Sequence, residues 1–219
     1  GPRHSAAALV LSSRIRLARN LAGHKFVSRC SAGEKTQILE GLREVLLSID
    51  VGDERFYVEI DQASDLARDF LVERHLISRH HALAKGPRGA VIARREFFTG
   101  MINEEDHLRM QVLKSGCQVS VCADLINSID DMVERKVEYA FSTRYGYLTA
   151  CPTNVGSGLR ISVMLHLPAL KMTGHLERFL HAAKDMNLAV RGLFGEGTEA
   201  AGDLYQVSNQ VTLGLSEDQ

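Results

Sequence analysis

The most constraining feature of this 219-residue sequence is the alternation of apolar and polar side chains between residues 159 and 167. A period of two is typical of a β-strand with one buried face, because successive side chains of a strand point to opposite faces. We expect one face to be fully committed to the core, with Leu159, Ile161, Val163, Leu165 and Leu167. The open face would then carry Arg160, Ser162, Met164 and His166.

A second strand of the same kind is predicted for residues 9 to 17. Its core face would hold Leu11, Ser13, Ile15 and Leu17, and its open face Ser12, Arg14 and Arg16. Arginine is always charged, and its fork of donors matches phosphate oxygens. Arginines on the open faces of two strands, if they converge on one cleft, would form a clamp for a polyphosphate.

The remaining pattern contains more strands than helices. A capping box of Ser31 and Glu34 opens the first predicted helix. Helices are predicted for residues 31–49, 64–74, 123–137 and 174–186, strands for 55–60, 90–93, 99–103, 108–113, 189–193 and 204–213, and loops for 78–89 and 151–158. Because the strands come in adjacent runs, we predict an α+β fold, a mainly antiparallel β-sheet flanked by helices. Residues 9–219 are expected to form one domain, preceded by a tag remnant or lead-in at residues 1–8.

Composition excludes several classes of protein. The net charge of -1 argues against a general nucleic-acid binder. No apolar run approaches the ~18 residues of a membrane span. The four cysteines match no zinc-binding or CxxC spacing, so reduced thiols and a cytoplasmic location are expected.

The motif NEEDHLR at residues 103–109 combines carboxylates with an arginine. In an extended conformation, Glu105, His107 and Arg109 would share one face, with Glu105 and Arg109 roughly 13 Å apart. That spacing suits a carboxylate at an acceptor and an arginine on nucleotide phosphates. The alternative is a solvated, charged turn.

Three further features each have two interpretations. The glycine-rich segment RGLFGEG places Arg191 and Glu196 close together, but it lacks the GK[ST] of a P-loop and is also typical of a tight turn. Cys151, before a proline, is either a structural cysteine or a thiolate with a lowered pKa beside arginines. His75 is either a ligand-binding residue or a histidine at a helix end.

Taken in order, the motifs SSRIRLARN, NEEDHLR, CPTNVGSGLR and RGLFGEGTEA, with SNQVTLG near the end, resemble the catalytic domain of the phosphagen (guanidino) kinases. The similarity runs from about Leu11 to Gly214 and is greatest to the bacterial protein-arginine kinases of that superfamily. Metabolite kinases carry a histidine where this chain has Met164, and an N-terminal helical domain that does not precede Leu9 here. Both differences favour arginine in a protein as the acceptor.

The resemblance implies an ATP-dependent kinase that makes phosphoarginine in proteins, with Mg²⁺ bridging the phosphate oxygens. Glu104 and Asp106 would reach that Mg²⁺ through water, without direct protein ligands. The ATP phosphates would be bound by Arg14, Arg16, Arg109, Arg160 and Arg191. The rest of the nucleotide site would comprise Ser12, Ser13, Ile15, His75, Ile161, Ser162, Val163, Met164, Gly192, Leu193, Phe194 and Gly195.

On the acceptor side, the resemblance assigns Glu105 and Glu196 to the guanidinium group, with Cys151 contacting it from a third side. A guanidinium has a pKa above ~12 and no free lone pair for attack. One carboxylate must therefore take a proton while the other aligns the planar group. We expect Glu105 to be the base and Glu196 the aligning residue, with Arg109 assisting catalysis.

Two alternatives remain: a kinase for free arginine or a related metabolite, and an inactive module that binds nucleotide or phosphoarginine. The presence of both glutamates and all five arginines favours an enzyme. Expected partners are proteins presenting arginine, without nucleic acid or membrane. Family members with a further C-terminal domain imply a homodimer and an activator protein, and this chain ends at Gln219.

Overall fold

The computed structural model describes residues 9–192 and 201–210, and the following account concerns those residues. They contain ten strands and six α-helices. The strands are β1 (Val10–Arg19), β2 (Arg55–Glu59), β3 (Gly89–Ala93), β4 (Phe98–Ile102), β5 (Leu108–Ser115), β6 (Phe141–Ser142), β7 (Gly146–Tyr147), β8 (Leu159–His166), β9 (Leu188–Gly192) and β10 (Leu204–Asn209). The helices are α1 (Ala32–Ser48), α2 (Asp65–Glu73), α3 (Arg79–Leu83), α4 (Val119–Glu134), α5 (Pro168–Met172) and α6 (Leu176–Asp185).

Eight of these strands form one sheet in the order β2-β3-β4-β5-β1-β8-β10-β9, and every neighbouring pair is antiparallel. Strands β6 and β7 form a separate hairpin. The predicted α+β fold with a mainly antiparallel sheet is therefore confirmed. No helix within the described ranges is long and apolar enough to cross a membrane.

The central strand β1 determines which side chains share a face. Arg16 lies opposite Gln111 of β5 and Arg160 of β8. Because residues directly opposite each other in antiparallel strands lie on the same face, the polar faces of the three strands are continuous. The alternate residues of β1, Ile15 and Leu17, are completely buried on the other face.

That other face packs against α1 and α4 to form the main core. Helix α1 begins with the predicted capping box, in which Ser31 accepts a hydrogen bond from the Glu34 amide and Glu34 from the Ser31 amide. Helix α4 begins at Val119, four residues before the predicted start. The core joins the two helices to the sheet through Leu42, Leu46, Ile126, Ile129, Ile15, Leu17, Met110 and Val112.

Among the described residues, helices cover one end of the arginine-bearing face. Helices α2 and α3 and the segments beside them pack on β3 and β4 through a second core cluster, with Leu71, Leu76, Ala82, Ala90, Ile92 and Met101. Met101 lies opposite Arg109, which places this cluster on the same face as the arginines. The part of the face formed by β1, β5 and β8 opens onto two cavities.

Two predicted segments have a different structure. The expected loop at 78–89 contains helix α3, which Ser78 caps by accepting a hydrogen bond from the His81 amide. Residues 103–107 are not extended, because Ile102 pairs with Leu108 and the chain reverses between them. The prediction that Glu105 and Arg109 share a strand face is therefore wrong.

The apolar face of β8 is less buried than predicted. Leu159 is buried, as is Leu167 just after the strand, whereas Ile161, Val163 and Leu165 are only half-buried. Helix α4 contacts β1 and β5, and β8 lies on the far side of β1 from β5. The helix cover therefore thins towards β8, which explains the difference.

A buried ion pair joins the sheet, helix α4 and the loop before β8. The fully buried Arg19 donates to Asp130 from Nε at 3.0 Å and from Nη2 at 2.6 Å. Its Nη1 also donates to the Ser157 carbonyl at 2.7 Å, and its guanidinium lies 3.6 Å from the centre of the Tyr147 ring. Tyr139 completes the network by donating to Asp130. The loop that carries Cys151 is thereby tied to the end of β1.

Replacement of Asp130 by alanine would leave the Arg19 guanidinium buried without its carboxylate. Removing one partner of a buried ion pair typically costs about 3–5 kcal/mol, and we expect Asp130→Ala to lower the free energy of unfolding by that amount. Urea denaturation followed by circular dichroism measures the change.

The matched control is Glu54→Ala, which removes the carboxylate of an exposed ion pair with Arg94. An exposed pair contributes less than about 1 kcal/mol. Equal losses in the two variants would show that the buried network stabilises the fold no more than a surface pair does.

Candidate active site

The structure brings the five arginines of the sequence motifs onto one face of the sheet. Arg16 of β1 lies opposite Arg160 of β8, and Arg109 belongs to the strand on the other side of β1. Arg191 of β9 joins them through β10, since Gln206 pairs with both Arg191 and Met164. Four different strands and the registers between them therefore assemble the cluster.

These arginines influence one another electrostatically. Burial, followed by the charges of Arg109 and Arg160, lowers the pKa of Arg14 to about 10. Burial and the charges of Arg14, Arg109 and Arg160 lower the pKa of Arg16. Burial, then Arg191 and Arg109, lower the pKa of Arg160. Such mutual lowering requires like charges that lie close together, so the guanidinium groups form one positive cluster.

Two donors of the cluster lack an acceptor among the described residues. Within the part of the chain that the structure describes, Nε of Arg16 and Nε of Arg160 are buried without a hydrogen-bond partner. Arg14 donates to the Gln206 side chain at 2.9 Å. A buried, unpaired charged donor is costly unless a ligand completes it. A multiply charged anion such as a polyphosphate fits these donors.

Two cavities adjoin the cluster, and Arg14 and His75 line both. The first has a volume of about 320 Å³ and is largely apolar, with Leu11, Ser12, Leu113, Ser162, Val163, Met164, Leu204 and Gln206 in its wall. The second, of about 420 Å³, is lined by Arg16, Arg79, Arg109, Gln111 and residues of α2. Both volumes fall in the range of small-molecule sites. An apolar compartment beside a cationic one suits a nucleotide.

His75 is held between the cavities by its backbone. Its φ of 58° is unusual for a residue with a side chain. Gln111 donates from Nε2 to the His75 carbonyl at 2.7 Å and to the Leu76 carbonyl at 3.2 Å. Burial and the charge of Arg14 lower the pKa of the imidazole. The neutral ring is therefore favoured as the wall of the apolar cavity.

Arg109 is paired with Glu104. Nη1 of Arg109 lies 3.0 Å and 2.9 Å from the two carboxylate oxygens. Ser78 and the Glu105 amide also donate to that carboxylate. Burial by itself raises the pKa of Glu104, but Arg109 and the two hydrogen bonds outweigh it and lower the pKa to about 2. The expected contact of Glu104 with a metal-bound water is not supported, because its carboxylate already accepts these bonds.

Asp106 likewise has a structural position. Its Oδ1 accepts hydrogen bonds from Asn20 Nδ2 at 2.6 Å and from the Ala150 amide at 2.7 Å. Burial raises the pKa of this carboxyl in spite of those bonds. The bond to Ala150 draws the segment before Cys151 against the turn that carries Glu105. Both of these bonds end on Oδ1, and the expected contact of Asp106 with a metal-bound water stays a prediction.

Glu105 and Cys151 consequently lie in segments that are hydrogen-bonded to each other. Glu105 is accessible to solvent, and partial burial of its carboxylate, together with Asp106 and Glu104, raises its pKa. Cys151 is half-buried, and its Sγ lies 3.0 Å from the Thr153 hydroxyl. It is also close enough to Arg160 to influence the pKa of that guanidinium. An accessible carboxylate with a raised pKa, next to a cationic cluster, is suited to accept a proton.

Some predicted site residues do not face the cavities. Ser13 and Ile15 are completely buried on the core face, where Ser13 Oγ donates to the Gly116 carbonyl and accepts from the Gln118 amide. Ile161 packs against the main core. Gly192 ends β9. Outside the described residues lie Leu193, Phe194, Gly195, Glu196 and the last four residues of the SNQVTLG motif.

The sequence interpretation missed two glutamines. Gln111 fixes the backbone at His75, and Gln206 accepts from Arg14. Gln111 lies two residues after Arg109 in β5, so a period of two places it on the same face. That signal was available for Gln111, but the role of Gln206 requires the pairing of β10 with β8 and β9.

Comparisons with known proteins agree on one family. The model of the family described as ATP:guanido phosphotransferase, C-terminal catalytic domain, matches residues 37–219. A protein-arginine kinase from Halothermothrix orenii is 46% identical over 209 residues, which cover 95% of this chain and 60% of that protein. Another, from Halalkalibacterium halodurans, is 47% identical over 211 residues, covering 96% and 59%. The chain thus spans about 60% of the length of these curated relatives.

Solved structures show the same fold. The substrate-free duplicated taurocyamine kinase from Schistosoma mansoni has a TM-score of 0.84 at 28% identity, covering 98% of this chain and 31% of that chain. Lombricine kinase has a TM-score of 0.79 at 29% identity, covering 96% and 62%.

The depressed pKa of Glu104 predicts a pH-dependent contribution to stability. Its charged form is favoured in the folded state, so the contribution is complete above about pH 4.5 and is lost as the pH falls towards 2. We expect Glu104→Gln to lower the free energy of unfolding by about 3 kcal/mol at pH 7. The gap to the wild-type protein should narrow progressively below pH 4.5 in urea titrations.

The control is Glu40→Gln at an exposed position of α1. This surface substitution should change stability by less than about 0.5 kcal/mol throughout the titration. A gap for Glu104→Gln that stays constant from pH 7 to pH 3 would contradict the assignment of the depressed pKa.

Proposed function

Because the chain belongs to the ATP:guanido phosphotransferase family, we propose that it transfers the γ-phosphoryl group of ATP to the guanidinium group of arginine residues in proteins. The observation that carries this proposal is the cluster of arginines with unpaired donors at the edge of an apolar cavity. We further propose that residues 9–219 form the catalytic domain of a cytoplasmic enzyme.

We place the adenine of ATP in the apolar cavity, between His75 and Met164, and the phosphates over Arg14, Arg16, Arg109, Arg160 and Arg191. Ser12 and Ser162 line the same cavity and offer hydroxyl groups to the nucleotide. Arginines that replace water around the phosphates stabilise the charge of the transition state without reorganising. Gly192 and the segment from Leu193 to Gly195 are proposed to complete the phosphate contacts.

Mg²⁺ is proposed to bind mainly to phosphate oxygens, where it would neutralise charge on the leaving group. The described residues contain no group of three or more histidine, cysteine, aspartate or glutamate side chains that suits a metal ion. The arginine cluster would hold the phosphates, and the phosphates would in turn supply oxygen ligands to Mg²⁺.

In the proposed reaction, a guanidino nitrogen of the acceptor attacks the γ-phosphorus as the bond from that phosphorus to the ADP oxygen breaks. The nitrogen loses one proton, which Glu105 accepts, and the products are ADP and phosphoarginine. The raised pKa of Glu105 supports this role, since a base is most effective when its pKa approaches the working pH. Glu196 is proposed to align the guanidinium by two hydrogen bonds, and Cys151 to contact it from a third side.

Arginine in a protein is the proposed acceptor because relatives that are 44–47% identical are named protein-arginine kinases. Met164 lies in the cavity wall, at the position where metabolite kinases carry a histidine. This difference agrees with a protein acceptor. Since the chain spans about 60% of those relatives, an activator protein and a homodimer through a further domain are proposed as properties of the whole protein.

A direct assay separates the proposed function from its alternatives. The protein is incubated with Mg-ATP and either an unfolded arginine-containing protein or free arginine, and acid-labile phosphate on nitrogen is measured. We expect product on the protein acceptor. Product on free arginine alone would identify a metabolite kinase, and no product on either acceptor would favour a binding module.

Glu105→Gln tests the proposed base. Losing a general base typically slows catalysis by about 10²–10⁴-fold, and we expect kcat to fall within that range while the Kd for ATP changes less than about two-fold. Glu40→Gln, on the remote helix α1, serves as the control. A large loss of ATP affinity in Glu105→Gln would place the residue in nucleotide binding instead.

A further inference from the structure

Helix α3 has only five residues, and side chains outside it hold both of its ends. Helices this short do not form alone in water, because nucleation is costly. At the N-terminus of the helix, the Ser78 hydroxyl accepts a hydrogen bond from the His81 amide and donates to Glu104 Oε1 at 2.6 Å. Glu104 is the residue that pairs with Arg109, so the start of α3 is fixed to the arginine cluster.

The other end is held by a buried arginine. Arg88, which is 4% exposed, donates to the carbonyls of His81 at 2.8 Å, Gly86 at 3.0 Å and Ala82 at 3.4 Å. The buried His81 ring lies 3.1 Å from the Gly89 carbonyl. Cationic side chains that bond the last carbonyls of a helix stabilise its end. The backbone of α3 is therefore a fixed platform.

One side chain that this platform exposes, His80, lies next to the proposed acceptor site. His80 Nδ1 is 3.6 Å from Glu104 Oε1, and His80 is close enough to Glu105 to act on its charge. Leu83 is 81% exposed and, three residues after His80, lies on the same side of the helix. One side of this fixed helix thus carries both His80, which adjoins Glu104 and Glu105, and the exposed Leu83.

We propose that His80 and Leu83, on the outer side of α3, bind the polypeptide that flanks the acceptor arginine. This inference rests on the proposed function. A single exposed leucine is ordinary on a protein surface, but this one is on a fixed helix beside Glu105. While the arginine side chain reaches Glu105, an apolar neighbour of that arginine packs against Leu83. Free arginine has no flanking chain and cannot use the contact.

The test compares three acceptors: a disordered peptide with one arginine between apolar residues, the same peptide with glycines in their place, and free arginine. For Leu83→Ala we expect kcat/KM on the apolar-flanked peptide to fall about five- to ten-fold, since part of a leucine contact is lost. The glycine-flanked peptide, free arginine and the Kd for ATP should be unchanged. His80→Ala should lower kcat/KM more on both peptides than on free arginine, on which any loss would reflect the contact of His80 with Glu104 and its charge effect on Glu105.

Leu66→Ala is the matched control, because Leu66 is 80% exposed on α2. Circular dichroism of each variant verifies the fold. If Leu83→Ala retains the wild-type kcat/KM on the apolar-flanked peptide, the docking proposal is overturned and the proposed function still stands. An equal loss on free arginine would also overturn it, since Leu83 would then act on the active site. A wild-type protein that phosphorylates neither peptide would overturn the proposed function and this inference together.

Discussion

The antiparallel pairing of β1 with β5 and β8 is the constraint on which the rest of the molecule depends. It places Arg16 beside Arg160 and Gln111 on one face, and Ile15 and Leu17 in the core on the other. A slip of one residue in either register would turn the arginines of β1 into the apolar core. Burial of charged groups without partners is far more costly than any contact such a slip could gain. The core therefore fixes the register, and the register fixes the positive cluster.

This arrangement brings like charges together, and the repulsion between them is unfavourable for the folded protein. Glu104 is the carboxylate bonded to Arg109, while Arg14 donates to the neutral side chain of Gln206. Burial first, and then the mutual repulsion that remains, lower the pKa values of Arg14, Arg16 and Arg160. An anion relieves that repulsion when it binds.

Much of the fold was predictable, because it depends on local periodicity. The alternation in β1 and β8 correctly separates Arg14, Arg16 and Arg160 from the core side chains. The structure of residues 103–107 was not predictable in this way, because the reversal depends on Asn103, which has a φ of 59° and donates its side-chain amide to the carbonyls of Lys35 and Pro87. Helix α3 likewise depends on Arg88, which follows it in sequence. Periodicity indicates which face a residue takes, but these contacts are tertiary.

The turn between β4 and β5 distributes three consecutive carboxylates among three tasks. Glu104 points into the protein and holds Arg109, Asp106 holds the backbone before Cys151, and Glu105 between them stays accessible. Neighbouring side chains in a tight turn cannot all point the same way. The turn at residues 103–107, which stands where a strand was predicted, therefore sends the three carboxylates to different partners. Because its two neighbours are fixed by hydrogen bonds, Glu105 is held next to the arginine cluster, and in the described part of the chain no hydrogen bond joins its carboxylate to those arginines. An accessible carboxylate held in this way can exchange a proton with an acceptor while the phosphate-binding groups stay in place.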